Sequence, residues 1–497
     1  MSVAWEQLLP WAVALPFVGA ALTPVLAARS PRWTGPWAWG VVLATVAVTV
    51  GLVAHVAEAG AFTYAIGGWS GAYGIELRFD RFAAWVLPLS LLFAVIVPFS
   101  WRYVVVSLEP ARWGAFYALL LLVMGGMIGF SITGDLFNLF VFMEVTSLSS
   151  YALVAVGGRG VAAWAALKYL FLGAVASLLA LLGTALLFVL TGSLNLADVA
   201  ARLGPDVARG PVLIAFAALV TSFLVKAAVF PLHVWLPDAH AIAPSPVSAV
   251  LSGLVVKTGI VGLVRVVQLF HAADAVPLAG FHLALAWLGA VSIVMGAFLA
   301  IFQDDLKLML AYSTISNVGY IVLGFGLAAP YAAVGASVHV VNHALIKTTL
   351  FLAAGALIHQ TGFRTLSDLR GVARAMPQTA AVMAIGAVSI VGLPPTAGFL
   401  CKWYIALGAF EADRAPFGFA LVFGALFIFV YYIRMVNALY FQAPVHARVA
   451  EATEVPWSMR APLLLLAASC LVLGLLGGAP LAFVEPAVAG VLPVGGP

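Results

Sequence analysis

Apolar runs of about 20 residues, the length that an α-helix needs to cross about 30 Å of hydrocarbon, recur from one end of this chain to the other. Only 8% of its 497 residues are charged, whereas soluble domains carry about a quarter. The runs and the composition together predict an all-α polytopic membrane protein.

Glycine, proline and charged residues divide the apolar runs into about fourteen spans. Their approximate positions are 8–28, 37–57, 81–100, 114–132, 135–156, 163–191, 211–230, 245–270, 280–301, 307–327, 331–358, 379–408, 416–441 and 461–482. The start of the chain has no basic region and carries Glu6. This predicts a first transmembrane helix that is retained, not a cleaved signal peptide.

Basic loop residues orient the spans, because such residues accumulate on the cytoplasmic side. If the N-terminus is outside, eleven basic residues lie in inward loops and five in outward loops. The inward set is Arg29, Arg32, Arg102, Arg112, Arg159, Lys307, Arg364, Arg370, Arg374, Arg448 and Arg460. We therefore predict a multi-pass protein of the cell inner (plasma) membrane with both termini facing outward.

Lysine is distributed unevenly along this sequence. Of the 23 basic residues only six are lysines, and most arginines fall in loops. Lys307 starts a predicted span, and the other five lie inside spans: Lys168, Lys226, Lys257, Lys347 and Lys402. A desolvated lysine can give up its proton, whereas arginine stays charged. A charge at the bilayer centre costs about 2.5–3.5 kcal/mol on insertion scales, which predicts that these amines face partners or a hydrated path. Snorkelling to the headgroups is the alternative, and it fits Lys168 best.

The carboxylate partner of these amines is predicted in the span "DLFNLFVFMEVTSLSSYALVA". Asp135 begins this span and Glu144 lies near its middle. A carboxylate beside an ammonium stabilises the protonated amine, so moving the two apart releases the proton. Glu144 is therefore predicted to gate the proton of Lys226, with a purely structural ion pair as the alternative.

One later span carries three titratable groups on a single helical face. His339, His343 and Lys347 are spaced i, i+4 and i+8 in "VGASVHVVNHALIKTTLFL", which places them about 6 Å apart along the helix. The stripe predicts a proton relay. Axial ligation of a b-type haem is the competing use of His339 or His343.

Two spans are predicted to be broken within the membrane. Pro231 follows Lys226, and Pro394 and Pro395 precede Lys402. Proline removes a backbone donor, and irregular backbone at membrane depth marks ion sites in inverted-repeat transporters.

We predict N-terminal helices and an external loop in 1–110, a first repeat in 111–270, a second in 271–441 and a last helix in 442–497. The loop after the first break carries His233, Asp238 and His240, which with Asp135 are predicted to form a proton-uptake or regulatory element.

The two cysteines, Cys401 and Cys470, lie far apart in apolar runs, and no CxxC motif occurs. This pattern argues against a disulfide, an iron–sulfur cluster and a c-type haem in this chain. We expect no cofactor and no metal site in this chain.

Four stretches of the sequence resemble one protein family. They are "DLFNLFVFMEVTSLSSYALVA", "KAAVFPLHVWLPDAHAIAPSPVSAVLSGLVVKTGIVGLVR", "NHALIKTTLFL" and "GLPPTAGFLCKWY". They resemble the antiporter-like subunits of respiratory complex I, of membrane-bound hydrogenases and of Mrp multi-subunit cation/proton antiporters (the D-type subunit). The loop "GGWSGAYGIELRFD" and "GSLNLADVA" fit the Mrp D-type branch better. Some members carry glutamate where this chain has Lys402.

The resemblance implies fourteen helices with two inverted five-helix repeats, each with a broken helix, and other membrane subunits as partners. It also implies a central axis of protonatable residues. By motif, Glu144 matches the essential glutamate, Lys226 the lysine at the first break, Lys257 the bridging lysine and Lys402 the terminal residue. His339, His343 and Lys347 match the positions between them.

The function predicted on this basis is that of a proton-translocating subunit in an Mrp-type Na⁺/H⁺ antiporter, acting with H⁺, Na⁺ and the bilayer and not with nucleic acid. Two alternatives stay open. One is the pumping subunit of a complex I-like NADH:quinone oxidoreductase or hydrogenase, and the other is the energising subunit of an inorganic-carbon uptake system. The lysine and glutamate residues fit proton conduction, whereas sodium typically binds carboxylates and carbonyl oxygens. The sequence therefore leaves open whether this chain also handles sodium.

Overall fold

The computed structural model describes residues 5–71, 73–158, 160–204 and 207–488. Arg159, one of the basic loop residues counted above, and the last nine residues of the 442–497 segment lie outside the described residues. The first helices are α1 (Trp5–Leu8), α2 (Trp11–Arg29), α3 (Thr34–Ala59), α4 (Val86–Ser107), α5 (Pro110–Ile132), α6 (Leu136–Ala155), α7 (Gly160–Thr191), α8 (Leu196–Arg202), α9 (Arg209–Lys226), α10 (Trp235–Ile242), α11 (Ser245–Val250) and α12 (Val256–Ala272). The remaining described helices are α13 (Leu278–Ile301), α14 (Leu306–Gly326), α15 (Pro330–Thr361), α16 (Pro377–Val391), α17 (Ala397–Glu411), α18 (Ala415–Val436), α19 (Ala447–Ala450), α20 (Trp457–Leu475) and α21 (Gly478–Val488).

Among the described residues, thirteen helical segments are long and apolar enough to cross a membrane. Helices α16 and α17 have 15 residues each, and each alone is too short to cross a membrane. Together they make one further span, which brings the total in the described residues to fourteen. The prediction of an all-α polytopic membrane protein with about fourteen spans is confirmed. The boundary of predicted span 81–100 is wrong, because α4 starts at Val86 and runs past the exposed Arg102 to Ser107.

The first predicted helix break follows Lys226, the last residue of α9. The chain leaves the helix through Ala228, whose φ of 55° is left-handed, and it becomes helical again at Trp235. The indole of Trp235 donates a 2.9 Å hydrogen bond to the carbonyl of Val225. This bond satisfies a carbonyl at the end of α9 and fixes α10 beside it.

The second break lies between Val391, the end of α16, and Ala397, the start of α17. Gly392 follows α16 with a left-handed φ of 90°, a conformation that favours glycine. Both predicted breaks are therefore present in the fold.

The centre of the bundle is formed by α11–α12, α14 and α15, which are almost wholly buried. Gly259 of α12 packs against the first break, where a Cβ atom would lie 2.3 Å from the backbone nitrogen of Ala227. This approach requires glycine. A π-helical turn, Leu251–Val255, joins α11 to α12.

The two predicted repeats share several features at equivalent positions. Helices α7 and α15 both have 32 residues. Asp135 caps α6 and forms a bridge with Asn195, and Asp305 caps α14 and forms a bridge with Thr365. The intervals 305 − 135 and 365 − 195 are both 170 residues. Equivalent helices are five spans apart in chain order, an odd number, so the two units would run in opposite directions. The division at 111–270 and 271–441 stays a prediction, and these correspondences support it.

The first long loop forms a two-stranded antiparallel hairpin, β1 (Phe62–Ala65) and β2 (Glu76–Phe79). Just after β2, Asp80 makes a bidentate ion pair with Arg265 of α12, at 2.6 and 2.9 Å. Burial raises the pKa of Asp80, but the charge and hydrogen bonds of Arg265, the backbone N–H of Ala83 and the charge of Arg78 together lower it more, so this pKa lies below its ordinary value. The hairpin is thereby attached to the end of the central helix α12.

Candidate functional site

Lys226 lies at the first break with its ammonium buried inside the bundle. Its Nζ donates to Ser147 Oγ at 2.7 Å, to Ser177 Oγ at 3.3 Å and to Tyr151 OH at 3.4 Å. Glu144 Oε1 is 4.0 Å from the same nitrogen. The lysine ends α9, and its partners come from α6 and α7, so three helices must pack correctly to build this site.

Ser177 connects the lysine to the glutamate. Its hydroxyl accepts from Lys226 and donates to Glu144, which forms a lysine–serine–glutamate chain. The side chain of Lys226 is 7% exposed and that of Glu144 is 27% exposed. The carboxylate therefore lies nearer the surface of the bundle than the amine that it stabilises.

Lys257 lies fully buried at the centre of the bundle, opposite His343. Its Nζ is 2.9 Å from His343 Nδ1, and it donates a 2.7 Å hydrogen bond to the carbonyl of Ser252. Ser252 lies in the π-helical turn, where the backbone does not follow regular α-helical pairing. A protonated Lys257 requires an unprotonated Nδ1 on His343, so this contact couples the protonation of the two groups.

The stripe on α15 has the geometry that its spacing predicts. His339, His343 and Lys347 are fully buried, and the two imidazole rings are 5.7 Å apart. Lys347 donates to the carbonyl of Leu310 at 3.0 Å. His339 Nδ1 is 3.0 Å from Cys401 Sγ. The ring of His339 also packs against that of Tyr320, with ring centres 6.2 Å apart.

Lys402 lies at the second break. Its Nζ donates to the carbonyl of Ile390 at 2.6 Å and to that of Val391 at 3.3 Å. These carbonyls end α16, where the helix dipole is negative. The same nitrogen is 4.5 Å from the centre of the Tyr320 ring. The ammonium is thus stabilised by dipoles and by an aromatic face, whereas Lys226 has a carboxylate.

The four residues predicted as an uptake or regulatory element do not form one cluster. Asp238 pairs with Lys168 at 2.8 Å, and both side chains are 45% exposed. His240 is fully buried against Phe351, and neither of its ring nitrogens has a hydrogen-bond partner among the described residues.

His233 and Asp135 lie in different surroundings from that pair. His233 is half-buried and stacks on Phe230, with ring centres 4.9 Å apart. Asp135 caps α6 by accepting from the backbone nitrogen of Asn138 at 2.6 Å. Because α7 returns antiparallel to α6 and carries Lys168 in its first third, Asp135 lies towards the opposite end of these helices from Asp238.

Lys307 is a buried amine, although the sequence places it in an inward loop. It follows the α14 cap, is 5% exposed and donates to the carbonyl of Ala243 at the end of α10. Ala243 is three residues beyond His240. The scarcity of lysine in the loops is the signal that could have identified Lys307.

No group of three or more His, Cys, Asp or Glu side chains that could hold a metal ion occurs in the described part of the chain. The candidate site consists of amines, imidazoles, hydroxyls and one carboxylate, and these groups extend from Lys226 through the bundle centre to Lys402. Such groups accept and donate protons.

Comparison with known proteins agrees with this architecture. The family described as "NADH:quinone oxidoreductase/Mrp antiporter, TM" matches residues 133–428. The chain is 38% identical to the N subunit of NADH-quinone oxidoreductase from Desulforudis audaxviator over 93% of this chain and 94% of that protein. It is 32% identical to the D-type subunit of the Na⁺/H⁺ antiporter from Alkalihalophilus pseudofirmus over 77% of this chain and 78% of that one.

Solved structures match along the whole chain. A chain of the membrane-bound sulfane sulfur reductase, an archaeal respiratory membrane complex, superposes with a TM-score of 0.91 at 30% identity and covers 98% of both chains. A chain of the Mrp complex from Dietzia sp. DQ12-45-1b superposes with a TM-score of 0.88 at 26% identity, covering 99% of this chain and 98% of that one. With its fourteen spans, two broken helices and buried lysines, this chain belongs to the NADH:quinone oxidoreductase/Mrp antiporter transmembrane family.

Proposed function

We propose that this chain translocates protons across the cell membrane as one subunit of a multi-subunit complex. The observation that carries the proposal is the buried ammonium of Lys226, which shares Ser177 with the more exposed carboxylate of Glu144. A structural ion pair needs no further titratable groups, yet Lys257 and His343 lie beyond it in the same bundle, in direct contact with each other.

The first step is a change in the environment of Lys226. While Glu144 stays charged and close, it stabilises the protonated amine. If Glu144 is neutralised or moves away, the remaining partners are the hydroxyls of Ser147, Ser177 and Tyr151. Uncharged partners compensate a buried ammonium poorly, so Lys226 then releases its proton.

The later steps pass charge along the centre of the bundle. Lys257 exchanges a proton with His343 across 2.9 Å. His339 and Lys347 extend the stripe in both directions along α15, and Lys402 ends the path at the second break. Transfer over the longer gaps requires bridging water.

The parent complex that we propose is an Mrp-type Na⁺/H⁺ antiporter of the plasma membrane, with other membrane subunits as partners. Two proteins named as D-type subunits of Na⁺/H⁺ antiporters, from Alkalihalophilus pseudofirmus and Bacillus subtilis, align with most of this chain. A redox-driven pump is the second candidate. It is favoured by the 38% identity to the N subunit of an NADH-quinone oxidoreductase and by the TM-score of 0.91 with a chain of the sulfane sulfur reductase.

The proton-translocation role is tested by Lys226→Ala and Glu144→Ala in the whole complex. Transport is read as proton movement across the membrane of inverted vesicles, and assembly is read on native gels. Both variants should assemble and lose transport. Arg32→Gln is the control, since this arginine is exposed and its one side-chain hydrogen bond within the described residues goes to Ser30. A fully assembled Lys226→Ala complex that transports at the normal rate would refute the role.

The parent complex is tested by purifying the tagged chain from its own membranes in mild detergent. Co-purification of cofactor-free membrane subunits alone supports the antiporter. Stoichiometric iron and flavin in the same particle support the redox-driven pump.

A further inference from the structure

An apolar groove of about 250 Å³ lies between helices that are long enough to span a membrane, and no lysine is among its lining residues. Its walls come from the start of α4, from α3 and from the C-terminal helices α20 and α21, and α15 forms its floor. Trp85, Val53, Val338 and Phe483 are typical of the lining. A groove of this kind within a membrane protein is suited to hydrocarbon, because the solvent around it is acyl chain.

One charged residue, Arg81, lines the same groove. It is partly buried and makes neither an ion pair nor a side-chain hydrogen bond with any residue in the described part of the chain. The neighbouring carboxylate, Asp80, is already occupied by the bidentate contact with Arg265 and by Arg78 at 3.6 Å. Arg81 is thus a cation at an apolar site that lacks an anion from the described protein.

The position of Arg81 along the chain identifies the missing anion. It stands between β2, which ends at Phe79, and the membrane-crossing segment that begins at Ala83. This is the depth at which lipid phosphates lie, and a guanidinium binds phosphate with two parallel hydrogen bonds. The groove is smaller than the roughly 300–1,000 Å³ of sites that enclose a whole small-molecule ligand, so it suits one acyl chain.

We propose that this groove binds a phospholipid, with its phosphate on Arg81 and one acyl chain between Trp85, Val338 and Phe483. The inference is independent of proton translocation. The bound chain would cover Asn342, which also lines the groove and whose amide donates to the carbonyl of Ala397 at the second break. The lipid would therefore exclude water from the side of α15 that adjoins the His339 and His343 face.

The test uses the intact complex and a phosphatidylglycerol that carries a photoactivatable group at the end of one acyl chain. After irradiation, labelled peptides are identified by mass spectrometry. We expect labelling of the groove helices, at Phe483 or Val338. A diacylglycerol with the same chain but no phosphate should label the groove weakly.

Two variants separate the headgroup from the chain. Arg81→Gln should lower labelling about tenfold, as expected for the loss of a charge-assisted hydrogen bond. Arg32→Gln is the control and should keep the wild-type level, because Arg32 is exposed and does not line the groove. Val484→Trp fills the groove without changing Arg81 and should also abolish labelling.

Three results would overturn the proposal. Equal labelling of Arg81→Gln and wild type would remove the role of the guanidinium. Equal labelling by the diacylglycerol would show that phosphate is not recognised. Cross-links from the groove to a helix of another subunit, without lipid, would show that a protein occupies it.

Discussion

The ammonium of Lys226 and the carboxylate of Glu144 lie 4.0 Å apart, and the hydroxyl of Ser177 bonds to both. A hydroxyl can accept from the lysine while it donates to the glutamate. The pair is thus coupled through a third group that has no charge of its own.

Ser177→Ala should slow proton transport about tenfold, because hydrogen bonds to charged groups contribute about 1.5–3 kcal/mol. Ser177→Thr keeps the hydroxyl and should restore most of the rate. Proton movement across the membrane of inverted vesicles measures both. Ser90→Ala is the control, since this buried serine bonds only to the carbonyl of Val86. Normal transport by Ser177→Ala would show that direct contact of Lys226 with Glu144 suffices.

Tyr320→Leu should reduce transport about thirtyfold, because a desolvated cation–π contact contributes about 2 kcal/mol and Lys402 would lose the ring beneath its amine. Tyr320→Phe keeps the ring and loses only the hydroxyl bond to the carbonyl of Leu421. It should transport at close to the normal rate. An equal loss of transport in the two variants would show that the hydroxyl of Tyr320, and not its ring, is what matters to Lys402.

We predict that Lys307 also carries protons. Lys307→Met and Lys307→Arg should then both slow transport about a hundredfold, an effect within the range of general acid–base groups. Arginine can still donate to the carbonyl of Ala243 but cannot deprotonate. Native gels should show both variants assembled. Transport by Lys307→Arg at the normal rate would instead assign Lys307 the task of holding the end of α10.

Gly259→Ala should destabilise the protein by about 1–3 kcal/mol, the usual effect of overpacking, because its Cβ would meet the backbone at Ala227. The apparent melting temperature of the purified complex measures this. Gly40→Ala is the matched control, since a Cβ at this helical position meets no atom within 4 Å. Equal melting temperatures for the two variants would contradict the close approach of α12 to the break.

Asp80→Asn should destabilise the protein by about 3–5 kcal/mol, because it leaves Arg265 buried without a counter-charge. The pKa of Asp80 is lowered in the folded protein, so its stabilisation is complete above the ordinary pKa near 3.8 and declines as the pH falls through the folded pKa. The melting-temperature difference from wild type should be constant between about pH 5 and 8 and shrink in stronger acid. A difference that grows on acidification would contradict this sign. Glu58→Gln, at an exposed position, is the control.

The spans, the two breaks and the buried lysines could be predicted because each leaves a local mark in the sequence. Proline interrupts an apolar run at Pro231, and an amine stands out among aliphatic residues at Lys257. His339 and His343 could be placed together because one helix carries both, and helical spacing alone brings them 5.7 Å apart.

The remaining parts of the site depend on contacts between distant segments. Ser177 is one small polar residue in a long apolar helix, and only the packing of α6, α7 and α9 places it beside Lys226 and Glu144. The carbonyl of Ser252 accepts from Lys257 because Ser252 lies in a π-helical turn, and no residue type in the sequence predicts that turn. Asp135 and Asp238 are both acidic and close to a span, which suggests one group in the sequence, but they lie at opposite ends of α6 and α7.

The burial of the lysines has a practical consequence for following this protein at work. All six lysines lie within the described residues; Lys168 is the one with an exposed side chain, and the other five are buried or partly buried. An amine-reactive reagent applied from water should therefore modify Lys168 before the other five lysines. Modification of any further lysine would then report the moment at which the interior opens to water, without a fluorophore or an engineered cysteine.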